Sequence, residues 1–220
     1  MKRINNFVLG LAALLILTGC ASYPPPSEGV SFAHYRRFNP DNVPTKVKDS
    51  LSHGDEYRQL VIRAMGEKTE ISESKVYWYS EEGIKFYRHV LDILEPHNAY
   101  AAVCIGHLYI LRGRVAPEHI KEVQFSSARN WLEKALESRK GYSEAHRFMG
   151  ELCAINGEWN EAARQFSLLE QSGFRDSHIY AWRGYVLKKM GRDDEAKMAW
   201  QKAVHCGFPE DCATWARKSL

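Results

Sequence analysis

One fixed interval governs the C-terminal half of the chain. Gly150 recurs as Gly184, Gly157 as Gly191, Ala162 as Ala196, Phe166 as Trp200, and Gly173-Phe174 as Gly207-Phe208, each pair 34 residues apart. A period of that length marks stacked supersecondary units that cannot bury an apolar face alone and form a continuous core only together. Within each unit the order is Gly, a second Gly seven residues later, an Ala five further on and an aromatic four beyond that. The first Gly lets two helices approach, because a side chain there would push them apart. Gly157 and Gly191 suit a helix end that needs φ > 0. Ala162 and Ala196 are small where the helices cross, and Phe166 and Trp200 are expected to fill the space between neighbouring hairpins.

This pattern resembles the tetratricopeptide repeat (TPR), a 34-residue helix–turn–helix. Gly106, Tyr109 and Gly113 fit its first helix and Ala128, Leu132 and Ala135 its second. Ala128 to Ala162 is again 34, but Gly113 to Gly157 is 44, so ten residues are inserted within Arg114 to Phe125. Insertions of this kind are expected in loops, with Glu118 to Glu122 adding a short helical turn. The chain departs from the family in two places. The usual first-helix Trp is Ala102, His146 and Tyr180, and the usual closing Pro is Lys140-Gly141, Phe174 and Phe208. These departures move the resemblance toward a general TPR-like or Sel1-like solenoid and leave the expected architecture unchanged.

Upstream, Asp55 to Met65 carries Tyr57, Leu60, Val61, Ala64 and Met65 on one helical side, and Ile84, Phe86, Tyr87, Val90, Leu91 and Leu94 form a second apolar face. They read as a divergent first hairpin, with Gly66 to Tyr79 too long for a repeat turn. Downstream, Pro209-Glu210-Asp211 reads as a helix start, and Cys212 to Leu220 as a closing helix with Trp215 on its apolar side. The expected fold is therefore all-α: a TPR-like α-solenoid of about three to four hairpins with a C-terminal capping helix, over residues 55–220.

The N-terminus sets the compartment. Lys2 and Arg3 precede an apolar run from Phe7 to Leu17, the form of a secretory signal and shorter than the roughly 20 residues a spanning helix needs. Leu17-Thr18-Gly19-Cys20 resembles the lipobox of bacterial lipoproteins. That resemblance implies cleavage of residues 1–19 and acylation of Cys20, and two or three acyl chains make a durable anchor. Ala21 after the cysteine, rather than Asp, implies outer-membrane sorting by enterobacterial-type rules. Residues 20–54 read as a lipidated tether and irregular lead-in: Pro24-Pro25-Pro26 favours an extended polyproline conformation, and Pro40 and Pro44 break any helix. Loss of Lys2 and Arg3 leaves 28 basic against 27 acidic side chains, a balance too even to argue for a nucleic-acid partner, and none is expected.

Motifs for chemistry are absent: there is no phosphate loop, His-Glu-x-x-His, Cys-x-x-Cys or Gly-x-Ser-x-Gly. Cys104 and His107 share a helical face without further ligands, so no metal or cofactor is expected. Glu81-Glu82, Asp193-Asp194 and Glu210-Asp211 read as acids meeting helix dipoles at helix starts. Cys206 and Cys212 flank Gly207-Phe208-Pro209 and are a candidate disulfide in an oxidising compartment, whereas Cys104 and Cys153 read as small buried residues. Position in the TPR frame implies a concave groove lined by Tyr100, His107, Arg147, Glu151, Tyr185, Lys188 and Lys189, taking an extended or helical peptide. The expected function is a non-enzymatic adaptor: a lipoprotein on the periplasmic side of the outer membrane, binding an envelope protein client without a small-molecule substrate. It is similar in design to the pilotins of pilus and secretion systems. The alternatives are an adaptor for peptidoglycan enzymes, an envelope enzyme using the 114–125 insert with His107, and a purely structural spacer.

Overall fold

The computed structural model describes Pro44 to Glu67, Glu70 to Gly207 and Glu210 to Leu220. Residues 1–43, with the expected signal, Cys20 and tether, lie outside the described residues, as do Phe208 and Pro209. Among the described residues the chain forms α1 (Val47–Glu67), α2 (Glu70–His89), α3 (Ala99–Val115), α4 (Glu118–Ser138), α5 (Ser143–Ile155), α6 (Trp159–Gln171), α7 (Ser177–Lys189), α8 (Asp193–Cys206) and α9 (Glu210–Ser219). Successive helices pack as four hairpins, and α9 lies on α7 and α8. The first helices α1, α3, α5 and α7 also touch their successors, forming one face of the stack. The expected solenoid with a closing helix is what the chain adopts.

The repeat residues do the work their spacing suggests, with one change. A Cβ on Gly150 would sit 2.8 Å from the Phe166 ring, and one on Gly184 2.3 Å from Trp200. The aromatics therefore press on the glycine of their own hairpin rather than filling the gap to the next. Ala162 and Ala196 are fully buried at the same crossings. Gly157 and Gly191 end their helices at φ 76° and 74°, where a Cβ would be strained.

The ten-residue insertion is helix, not loop. It lengthens α3 and α4 to 17 and 21 residues, against 13 each for α5 and α6. Gly113 consequently lies inside α3 rather than in a turn, where a Cβ would come within 2.3 Å of Phe125. It adds a second close approach beyond Gly106, whose Cβ would meet Leu132 at 2.9 Å. α3 is apolar nearly all round from Ala101 to Leu111 and is buried accordingly.

The first hairpin differs most from expectation. α1 begins at Val47, upstream of Asp55, and α2 begins at Glu70, so Gly66 to Tyr79 is no long connection. Val76, Tyr77 and Tyr79 are buried in α2; burial overrides the modest helix propensity of β-branched and aromatic residues. A Cβ on Gly54 would sit 2.6 Å from the Tyr87 ring, the glycine–aromatic contact of this hairpin at a different sequence spacing. α2 ends in a π turn, Val90–Leu94, closed by the Glu95 N–H donating to the Val90 carbonyl at 2.6 Å. Asn98 and Asp176 cap α3 and α7, each accepting a 2.8 Å bond from a backbone N–H three residues on.

Of the paired acids, Asp193-Asp194 opens α8, and Glu210-Asp211 begins α9. Glu81-Glu82 instead lies within α2, where Glu82 holds Lys85 at 2.8 Å and Glu81 faces Arg112 at 3.5 Å. No disulfide joins Cys206 to Cys212; both are half-buried thiols packed beside Tyr180, Leu187, Trp200 and Ala216. On α9 the deeply buried residues are Ala213 and Ala216, while Trp215 is 43% exposed, its ring edge-on to Trp200 and Tyr185.

Candidate functional site

The face built by the first helices holds most of the polar side chains that the fold leaves in unusual settings. At the α1–α3 end, Asp55 Oδ1 accepts from the Tyr87 and Tyr100 hydroxyls, both at 2.7 Å, and from Arg58 Nη2 at 3.1 Å. This ties α1, α2 and α3 together. Burial raises the pKa of both tyrosines, and their bonds to the Asp55 carboxylate raise it further. Tyr100, expected to line a groove, is half-buried and engaged in this cluster.

At the centre, His107 of α3 is buried beneath the Phe148 ring of α5, their centroids 4.1 Å apart and nearly parallel. Burial pulls its pKa down to about 3. The Glu151 charge opposes this, and Arg58, Arg147 and His178 add to it. The imidazole is therefore neutral at ordinary pH. Arg147 of α5 lies over Phe148, its guanidinium carbon 4.5 Å from the ring centroid.

Toward α7, Glu151 is 4% exposed and holds His178 Nε2 at 3.5 Å and Arg114 Nη1 at 3.6 Å. Burial pushes its carboxyl up, but the His178 hydrogen bond and the charges of His178, His107 and Arg114 bring it below its ordinary value. Tyr185 meets Trp159, Trp182 and Trp215 edge to face. Lys188 and Lys189 are exposed, Lys188 at 3.1 Å from Asp193 and Lys189 above the Tyr185 ring. Of the seven residues expected to line a groove, His107 and Glu151 are thus buried beneath the face, and Arg147, Tyr185, Lys188 and Lys189 reach solvent in varying degree.

Sequence reasoning missed Arg114, His178 and Trp182. The last two are 34 residues from Glu144 and Phe148, so the repeat frame already carried the signal. A cleft of about 1000 Å³ adjoins this end, walled by the inserted first turns of α4 (Glu118, Lys121, Glu122, Phe125), the α5–α6 turn and Trp182. The insert and His107 do not meet there: the cleft lining excludes His107.

Cys104 and Cys153 are buried thiols, with pKa values pushed up by burial to about 11 and about 12. Neither carries the thiolate that nucleophilic or metal chemistry needs. Among the described residues no group of three His, Cys, Asp or Glu side chains is placed to hold a metal ion. No described helix is long and apolar enough to cross a membrane.

No protein-family model and no curated protein matches the sequence. Among solved structures, the chain is similar to TTC0263, a thermophilic TPR protein of Thermus thermophilus. That similarity has 18% identity over 80% of this chain and 99% of that one, with a TM-score of 0.57. MamA (MSR-1 C2) aligns at 17% identity over 74% of this chain and 95% of that one, with a TM-score of 0.46. The chain has the fold of a TPR helical solenoid.

Proposed function

We propose that this protein is a lipoprotein of the outer membrane whose periplasmic solenoid acts as an adaptor for another envelope protein, in the manner of a pilotin or accessory factor. The observation that carries the reading is the order of parts: a Leu17-Thr18-Gly19-Cys20 motif behind a short apolar run, a Pro-rich spacer, then a solenoid. An acylated Cys20 would hold the chain at a membrane, and residues 21–43, at about 3.3 Å each when extended, allow a reach of tens of ångströms from it.

The first-helix face suits a protein ligand. It offers half-buried aromatic rings (Trp182, Tyr185) and a half-buried arginine (Arg147), the residue types that carry most interface energy. Nothing in its titratable groups is arranged for turnover: the histidine at its centre is buried and neutral, and the carboxylate beside it is ion-paired.

The test is affinity capture from cross-linked envelopes with the full chain. A defined client, recovered with wild type and lost when exposed Ile62, Lys188 and Lys189 on the first helices are replaced by Asp, Glu and Glu, supports the adaptor. Recovery of no client, or of the same clients by both, contradicts it.

A further inference from the structure

The chain enters the described fold at one edge of the stack, beside the end of α2. Pro44 is buried, and its carbonyl accepts a 3.0 Å hydrogen bond from His89 Nε2, on the last residue of α2. Val47 and Leu51 already pack on the core. Residue 43 is therefore held close to the π turn Val90–Leu94, which follows His89 directly.

That turn is apolar and incompletely covered. Ile93 is 69% exposed, more than any other large hydrophobic side chain among the described residues. On the same turn, Leu91 lines a cleft of about 390 Å³ whose other apolar walls are Ala102 of α3 and Trp131 of α4. The charges of the lining nearly cancel. Asp92 and Glu137 stand against Lys134, whose Nζ lies 4.3 Å from the Trp131 ring centroid, and Asp92 is paired with Arg88. A strongly acidic or basic ligand gains little there, whereas aromatic side chains, each burying about 150–250 Å², suit the space.

The chain carries such side chains just before Pro44. Phe32, Tyr35 and Phe38 stand three residues apart, and a backbone with three residues per turn presents all three on one side. The stretch from Phe38 to Pro44 spans at most about 20 Å, enough to reach a cleft whose Leu91 lies two positions beyond His89. A segment joined to its site in this way is present at a roughly millimolar effective concentration.

We propose that residues 31–43 dock on this edge of the solenoid, their aromatic rings seated in the cleft beside Leu91 and Trp131 and against Ile93. The inference goes beyond the adaptor reading and does not need it, since the occupant is the chain's own segment whether or not Cys20 is acylated. With the segment seated, the spacer of that reading shortens from residues 21–43 to residues 21–30, and this edge of the stack becomes the one nearest Cys20.

Photo-cross-linking of the purified full chain in detergent tests this. A photoreactive residue is placed at Ser138 in the cleft lining, or at exposed Met198 on α8 as a control. Isotope-labelled and unlabelled chains are mixed in equal amounts, so the isotope pairing of linked peptides separates contacts within a chain from contacts between copies. The expected result is a cross-link from Ser138 to residues 31–43 of the same chain, and none to them from Met198. A cross-link between copies, one to another part of the chain alone, or none from Ser138 would overturn the proposal.

Trypsin gives a second reading at Arg36 and Arg37, which lie between Tyr35 and Phe38. Cleavage of a docked segment tracks the fraction undocked. Replacing Phe32, Tyr35 and Phe38 together by Ser should speed it at least tenfold, and Ile93→Asp, on the other side of the contact, should act in the same direction. Circular dichroism checks that the helices of both variants are intact. Equal cleavage rates in wild type and both variants would overturn the docking. No client enters either experiment, so failure to capture one from envelopes overturns the adaptor and leaves this proposal standing.

Discussion

His178 on α7 places Nε2 at 3.5 Å from the carboxylate of Glu151 on α5, a residue only 4% exposed. This contact and the one to Arg114 on α3 link three successive hairpins through a single buried acid. Removing the imidazole leaves Glu151 with only the half-exposed Arg114. His178→Ala should therefore destabilise the chain by about 1–3 kcal/mol, the range for leaving a buried acceptor short of a partner. Urea unfolding near pH 7 measures it, and a loss within error of zero would contradict the linking role.

Acid should weaken the fold in two stages. His107 has its pKa pulled to about 3 in the folded state against an ordinary 6.5, so the unfolded chain binds the extra proton between those values. Its contribution is complete above pH 6.5 and is lost as pH falls toward 3. Glu151 is held below its ordinary 4.5, so its contribution is present above 4.5 and is lost only below that. The interval from pH 6.5 to 4.5 thus belongs to His107 and amounts to roughly 2–3 kcal/mol. His107→Phe, which keeps a ring against Phe148, should flatten the decline in that interval. Parallel stability–pH curves for the two proteins would contradict the assignment.

Gly184 tests the packing of the repeat. A Cβ there would lie 2.3 Å from Trp200 Nε1, and the indole is fixed by Ala181 and Trp215. Gly184→Ala should cost about 1–3 kcal/mol by overpacking, despite the higher helix propensity of Ala. A stabilised variant in denaturant unfolding would show that the contact is loose.

The proposed lipid anchor has its own signature. Cys20→Ser should abolish metabolic incorporation of labelled palmitate and move the protein from the membrane to the soluble envelope fraction. Continued labelling would remove the anchor from the account.

The repeat was legible because each hairpin needs a residue without a side chain facing a large one, and in the last two hairpins these stand at one interval. Gly54 and Tyr87 make the same contact, but they lie on longer helices and so at a longer separation, which hid the first hairpin's geometry. The insertion kept the Ala128 register and displaced Gly113. Sequence alone could not tell two lengthened helices from a loop, since Gly113 serves close packing as readily as a turn. The site was less legible still. His107 and Glu151 are polar residues at positions that face ligands in a regular array, yet α3 and α5 lie close enough to bury both. What compensates Glu151, the pair Arg114 and His178, comes from the neighbouring hairpins, whereas His107 is buried in its neutral form.

The central claim is that the first-helix face receives the client. The direct measurement is site-specific photo-cross-linking in intact cells. A photoreactive residue is placed singly at Ile62, Arg114 and Lys188 on first helices, and at Glu133, Arg164 and Met198 on second helices. The account predicts one client-sized adduct at the first three positions and none at the others. Adducts confined to the second-helix positions, or equal at all six, would contradict it.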